Sequence, residues 1–258
     1  MLRFLRKIRQ ELLSKNKLGK YLVYGAGEIV LVVIGILIAL AINNNNENSK
    51  RQAQELHYLK NLRTDLQMNI AHIDGYIETR KQAIASANSI LEHFEGKPIL
   101  DYEEFSANTI NIYTWRKFFQ INNTFQELIN SGNLALISND SIKNTYLNIE
   151  TLYHVMKDQE AHFRFDSEIL LLEPSYNMID LNPVVKTFTY NITNGTAGEK
   201  VALPTEQYDA MVKDLKQKNG FVMAVYEFTV MNGQLERMKQ MCKKLIALIE
   251  KEILKLEK

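Results

Sequence analysis

The sequence predicts a mainly α-helical protein: an N-terminal transmembrane helix that continues into an antiparallel helical bundle with a small β-hairpin insertion. Three observations predict it. A predominantly apolar segment with one charged residue lies between residues 21 and 42. After it, apolar residues recur at three- and four-residue steps along most of the chain, which is the spacing of a buried helix face. Between residues 175 and 203 this periodicity fails.

The apolar segment from Tyr21 to Ile42 predicts a transmembrane helix, because at 1.5 Å per residue it spans about 33 Å, enough for the hydrocarbon layer of a bilayer. Basic residues concentrate before it. The positive-inside rule therefore places residues 1–20, a basic amphipathic segment, in the cytoplasm and residues 43–258 outside it. The alternative is a cleaved signal peptide, since Ala39-Leu40-Ala41 has the small-x-small form that a signal peptidase needs.

Two features of the predicted span go beyond anchoring. Glu28 is its only charged residue, and a carboxylate inside a membrane often marks a partner, an ion path or a proton relay. The alternative is that its side chain reaches back to the interface. Gly35 and Ala39 form a small-xxx-small pair that would let a second helix approach closely. We therefore expect the lipid bilayer, and a membrane protein or a second copy of this chain, as partners.

Three segments of the chain form a recognisable pattern. The first is L-R-K-I-R-Q-E-L-L, near the start. The second is K-Y-L-V-Y-G-A-G-E-I-V-L-V-V-I-G-I-L-I-A-L-A-I-N-N, and the third is T-F-Q-E-L-I-N-S-G-N-L-A-L-I-S-N from Thr124 to Asn139. These segments resemble an uncharacterised family of single-pass inner-membrane proteins of Gram-negative bacteria, a domain of unknown function. The resemblance implies an inner-membrane protein in which Gly27-Glu28-Ile29 belongs to the family pattern. It implies no reaction, ligand or partner.

The extracytoplasmic domain begins with a predicted helix from Lys50 to Glu95 that continues the membrane span. Gly96 and Pro98 end it. A seven-residue repeat, typical of a coiled coil, is formed by Ile70, Ile77, Ile84 and Leu91.

The later elements follow from capping residues and periodicity. Asp101 begins a second helix, Asn123 or Thr124 caps a third that ends at Gly132, and Asn139 or Asp140 caps a fourth. We expect these helices at 101–119, 123–132 and 140–174, then a β-hairpin with Asn194-Gly195 at its turn, and helices at 205–218 and 221–258. The last helix should run antiparallel to the first.

Composition narrows the function classes. The chain has 258 residues with 31 Lys+Arg and 30 Asp+Glu, and the basic leader leaves the remainder mildly acidic, so we expect no nucleic-acid binding. Cys242 is the only cysteine, which excludes an internal disulfide and zinc sites made of paired cysteines. The sequence has no nucleophile elbow, phosphate loop or H-E-x-x-H motif. We therefore predict a non-enzymatic protein without a cofactor.

The nearest approach to a metal site is the fourth helix, where His154, Asp158 and His162 follow at four-residue steps. Neighbouring members could share an ion, but His154 and His162 are about 12 Å apart along the axis, so a solvated polar stripe explains the spacing as well. Aromatic residues between 102 and 119 could line a ligand pocket or pack the bundle.

The leading interpretation is a membrane-anchored interaction or sensory module, because the predicted bundle contains no catalytic motif. One alternative is an accessory subunit of an ion- or proton-coupled membrane complex that uses Glu28. The other is an extracytoplasmic metal-dependent module on the fourth helix.

Overall fold

The computed structural model describes residues 18–258, so the predicted amphipathic segment at the start of the chain lies outside the described residues. Every regular element in the described range is helical. The helices are α1 Leu18–Phe94, α2 Tyr102–Tyr113, α3 Asn123–Asn130, α4 Asp140–Ser167, α5 Glu173–Met178, α6 Leu181–Ile192, α7 Thr205–Met211 and α8 Leu215–Leu256. A short 3-10 helix, Asn133–Leu136, precedes α4, and a π-helical turn, Glu168–Leu172, joins α4 to α5.

Helix α1 is 77 residues long and belongs to two compact units. The first unit ends at His57 and the second runs from Tyr58 to Lys258. Within the first unit, the apolar stretch of α1 has no buried residue, and its length and composition are sufficient to cross a membrane. A signal sequence near an N-terminus would meet the same criterion. The predicted continuation of the apolar helix into the next one is confirmed.

Four of the helices have an N-terminal cap whose side chain accepts a backbone hydrogen bond. The sequence predicted the caps of α2 and α4. The carboxylate of Asp101 accepts hydrogen bonds from the N–H groups of two residues in the first turn of α2. The side chain of Asn139 accepts a hydrogen bond from the N–H of Ser141. Of the two predicted caps of α4, Asn139 and Asp140, the cap is therefore Asn139. Asp180 and Asp214 cap α6 and α8 in the same way. Each cap satisfies backbone N–H groups that have no partner inside the helix.

The predicted β-hairpin is wrong, because its first strand is helix α6. Its β-branched residues suggest a strand, but Asp180 caps the segment and buried Val184 and Thr187 are three residues apart, which is a helical spacing. Asn194 and Gly195, which would form the hairpin turn, have positive φ angles of 51° and 79°. The N–H of Gly195 donates to the carbonyl of Tyr190, so this pair ends a helix instead.

Helix boundaries also differ from the prediction at three places along the chain. Helix α2 stops at Tyr113, and residues 115–122 have no regular structure, although the pattern suggested a helix to residue 119. The backbone stays helical past Pro174, because proline in the first turn of α5 lies where its missing N–H is tolerated. Helix α7 ends at Met211, and α8 begins at Leu215 and passes through Gly220.

Within the second unit, α8 runs antiparallel to the later part of α1. Lys60 pairs with Glu257, Asp74 with Lys239, and Glu95 with Lys218, so rising numbers on one helix meet falling numbers on the other. Helix α4 packs along α8. On α1, one set of buried positions repeats every seven residues: Leu59, Leu66, Ile73, Arg80 and Ala87. A second buried set lies three residues after members of the first: Leu62, Asn69, Ala83 and Ile90.

Candidate functional site

A cluster of three charged side chains joins α1 to α4 inside the bundle. The guanidinium Nη2 of Arg80 lies 2.6 Å from Oε1 of Glu160, and Nζ of Lys157 lies 2.8 Å from Oε2 of the same carboxylate. The side chains of Arg80 and Glu160 are only 4% and 1% exposed. Two positive groups therefore share one buried negative group, and this three-residue cluster carries one excess positive charge.

The cluster also satisfies the backbone of the irregular segment 115–122. Glu160 accepts a hydrogen bond from the N–H of Phe118 at 2.8 Å, and Lys157 donates to the carbonyl of Phe118 at 2.7 Å. Further along, buried Asn69 donates to the carbonyl of Ile121 at 2.6 Å and accepts from its N–H at 2.8 Å. Polar side chains thus provide the hydrogen bonds that a helix or a sheet would otherwise supply.

Arg80 has donor capacity that this packing does not use. Its Nη2 reaches Glu160 and, at 3.4 Å, the carbonyl of Arg116. Its Nε and Nη1 are buried, and no described residue accepts a hydrogen bond from either. Burial lowers the pKa of Arg80, while the charge of Glu160 acts in the opposite direction. Unpaired buried N–H groups are costly, so they mark a position where an acceptor would be stabilising.

Arg80 lies at the wall of a cleft of about 750 Å³, within the usual size range of small-molecule sites. One wall is a stripe of small residues on α1, which includes Gly75, Thr79 and Ala83. Aromatic side chains of Trp115, Phe188 and Phe228 form other parts of the lining. We name this feature the Arg80 cleft. Of the aromatic residues singled out in the sequence, Trp115 lines it, whereas Phe118 is buried in the core and Phe119 is 66% exposed.

A second cluster lies on α4 and α8 and contains one of the predicted metal candidates. Nδ1 of His162 lies 3.7 Å from carboxylate oxygens of both Asp166 and Glu227, and the three potential ligand atoms all lie within 4.8 Å of one another. His154 and Asp158 are exposed on α4 and are not part of this cluster. Glu227, whose side chain is 2% exposed, accepts a hydrogen bond from Gln159.

The membrane-segment candidates all lie in the first unit. Glu28, Gly35 and Ala39 are exposed on α1. No described atom lies within 4 Å of a Cβ built at Gly35, apart from its own helix backbone and chain neighbours. The structure therefore leaves this surface of the described chain free for lipid or for another helix.

Comparison with known proteins gives a family and no activity. The sequence profile of a family of unknown function (DUF6090) matches residues 28–164, which is more than half of the chain. The chain belongs to this family. The DUF6090 match begins at Glu28 and includes the Arg80, Lys157 and Glu160 cluster, whereas Asp166 and Glu227 lie outside it. No curated protein and no solved structure shows significant similarity to this DUF6090 member.

Sequence reasoning missed Arg80, Glu160 and Glu227, although a signal for the first two was present. Arg80 occupies the helical position of Leu66 and Ile73, and Glu160 lies between buried Met156 and Phe163 on α4. Charged residues that interrupt an apolar stripe predict a buried polar pair. Glu227 comes from a different helix, and no spacing within α4 could have indicated it.

Proposed function

We propose that this DUF6090 protein is a membrane-anchored, non-enzymatic interaction or sensory module of the Gram-negative inner membrane. Helix α1 crosses the membrane once, residues before it lie in the cytoplasm, and residues 43–258 form a periplasmic helical domain. The observation that carries the proposal is the apolar stretch of α1, in which no residue is buried. Leu22, Ile29 and Leu31 are 68%, 65% and 71% exposed, and apolar surface of this extent is unfavourable in water at about 25 cal/mol per Å².

A partner inside the membrane is supported by the chemistry of the same stretch. Glu28 places a carboxylate on an apolar helix surface, where an ionisable group is costly unless another polar group faces it. Gly35 and Ala39, one turn apart, would allow a second helix to approach closely. The partner is therefore another membrane protein or a second copy of this chain.

Site-specific photocrosslinking in native membranes tests this partner surface. A photoreactive residue at Ala39 should give a defined adduct, whereas the same residue at Leu37, about half a turn away, should not. Glu28→Gln should weaken the Ala39 adduct without reducing membrane insertion, which carbonate extraction measures. Absence of any specific adduct, or equal adducts from both positions, would count against a packed partner. An Ala39 adduct that Glu28→Gln leaves unchanged would remove the role of the carboxylate.

A metal-dependent module is the second candidate, favoured by the geometry of the His162 cluster. One imidazole and two carboxylates are suitable zinc ligands, and the 3.7 Å separations are close to the roughly 3.3 Å between ligand atoms of a tetrahedral site. On this hypothesis the purified full-length protein contains bound metal, and a chelator lowers its melting temperature. His162→Ala should abolish both effects, and His154→Ala should change neither. Protein free of metal and indifferent to chelator would eliminate this candidate.

A further inference from the structure

We propose that the outer surface formed by α4, α5 and α8 is a contact between two copies of this chain, in which each copy contributes the same surface. We name this surface the Tyr226 face. It consists of six exposed apolar residues, Phe165, Ile169, Tyr176, Leu215, Val222 and Tyr226. All of them belong to the second unit, so the inference goes beyond the membrane partner proposed above and is independent of the direction in which α1 crosses the membrane.

The centre of the Tyr226 face is formed by two neighbouring helices. Nδ1 of His162 on α4 lies 3.7 Å from a carboxylate oxygen of Glu227 on α8. Phe165 follows His162 by about one turn, and Tyr226 directly precedes Glu227, so these two aromatic residues lie at about the same level of the layer. Ile169 is one turn further along and is also exposed. Apolar groups from adjacent helices therefore meet in one surface.

The same surface continues to the end of the layer. Nζ of Lys216 on α8 lies 2.9 Å from a carboxylate oxygen of Glu173 on α5. Leu215 directly precedes Lys216, and Tyr176 follows Glu173 by three residues, so these two exposed apolar residues flank the ion pair. Val222 comes seven residues after Leu215 and thus lies on the same side of α8. It connects this end of the face to its centre.

The exposed side of α8 lacks charge along the Tyr226 face. Between Lys218 and Glu236 the sequence of α8 contains one charged residue, Glu227, and its side chain is buried. A helix side that faces water usually carries charged residues. Protein interfaces have the opposite composition, with few charges and many aromatic residues at the centre and polar residues around it. The composition of α8 is therefore that of a covered helix.

The size of the Tyr226 face matches one half of a homodimer interface. Its aromatic residues, Phe165, Tyr176 and Tyr226, are 61%, 64% and 58% exposed. At about 200 Å² per aromatic side chain and about 100 Å² per aliphatic one, the six residues expose roughly 500 Å² of apolar surface. A standard interface removes about 800 Å² from each partner, and about 65% of it is apolar in homodimers, which is about 520 Å².

A second copy is the occupant that these properties favour. An uncharged apolar surface offers no electrostatic preference for an acidic or a basic partner, whereas it is complementary to itself. A two-fold dimer uses the same surface on both subunits and is the commonest form of oligomer. Its contact would bury the apolar area of both copies at once.

The mass of the full-length protein in detergent, measured by light scattering, tests the proposal. We expect a dimer at micromolar concentration. Tyr226→Lys should raise its dissociation constant at least about tenfold, because a charge would be buried in an apolar contact. Gln240→Lys adds the same charge to an exposed position of α8 beyond the uncharged stretch and should leave the dimer intact. A monomeric wild type, or a dimer that Tyr226→Lys leaves unchanged, overturns the proposal.

Photocrosslinking in native membranes identifies the occupant without a destabilising substitution. A photoreactive residue at Val222 should give an adduct with twice the mass of the chain, and all its peptides should come from this protein. The same residue at Gln240 should give no such adduct. An adduct with a different protein, or equal adducts from both positions, overturns the proposal. Neither readout uses the Ala39 adduct, so this dimer and the proposed membrane partner can fail separately.

Discussion

At the scale of single residues, Glu160 is the group on which the buried polar cluster depends. It forms ion pairs with both Arg80 and Lys157 and also accepts a hydrogen bond from the N–H of Phe118. We predict that Glu160→Ala destabilises the protein by about 3–5 kcal/mol, because it leaves buried charges uncompensated. Urea unfolding of the full-length protein in detergent measures this change.

Glu92→Ala is the matched control for this substitution. It breaks an ion pair with Lys97 that is equally short, 2.6 Å, but exposed at both side chains, so the unfolding midpoint should stay close to that of the wild type. Equal decreases in the unfolding midpoint for the two substitutions would show that burial does not increase the contribution of Glu160 to stability. A wild-type midpoint for Glu160→Ala would contradict the buried cluster itself.

Glu252 provides a pH-dependent contribution to stability. Hydrogen bonds from Asn139 and then from Lys255 hold the pKa of this carboxyl below its usual value. A group whose pKa is lowered by folding stabilises the protein above its unfolded pKa, near 4.3, and this stabilisation is lost as the pH falls through the folded pKa. We therefore predict that Glu252→Gln is less stable than the wild type at pH 7, and that the difference shrinks as the pH falls below the unfolded pKa and disappears below the lowered pKa of the folded state. A difference independent of pH would contradict the assignment.

The residue scale also shows where sequence reasoning fails. Helical periodicity identified the faces that pack, and Asp101 and Asn139 were recognisable as caps because their side chains act on the nearest turn. The partners of Arg80 come from residues 36 and 80 positions away. Only the folded chain brings such groups together. The sequence alone therefore could not predict the excess positive charge at Arg80 or the cleft beside it.

At the scale of elements, Gly220 controls how closely α8 approaches the π-helical turn after α4. A Cβ built at Gly220 would lie 2.5 Å from Cδ2 of Leu171, a fully buried residue. We predict that Gly220→Ala destabilises the protein by about 1–3 kcal/mol through overpacking. Gly233→Ala on the same helix has open space and should be neutral or stabilising. Melting temperatures of the two variants decide the point, and a stabilised Gly220→Ala would contradict the close packing.

Helix α6 shows why local propensity misled the prediction of elements. Its central residues, V-V-K-T-F-T-Y-N-I-T, are β-branched or aromatic and favour strands when read alone. In the structure Val184 and Thr187 are buried from one helical face, and the caps at Asp180 and Gly195 define both ends. Burial of a helical face and two caps outweigh a propensity difference of a few tenths of a kcal/mol per residue.

At the scale of the whole molecule, the sequence predicted most of the architecture and less of its chemistry. The apolar stretch, the long continuous first helix and the antiparallel return of α8 each depend on patterns that extend over many residues, which makes them robust to local exceptions. His162 was recognised, but its neighbour Glu227 on α8 was not.

The central claim, that α1 crosses the membrane and places the second unit outside the cytoplasm, is tested most directly by labelling cysteines in intact cells with a membrane-impermeant maleimide. The native cysteine, Cys242, is a silent background, since burial raises the pKa of its thiol to about 12. We predict that a cysteine at exposed Lys81 is labelled in intact cells and that one at Lys17 is labelled only after lysis. Labelling of the Lys81→Cys protein only after lysis, or its recovery in the soluble fraction, would contradict the account.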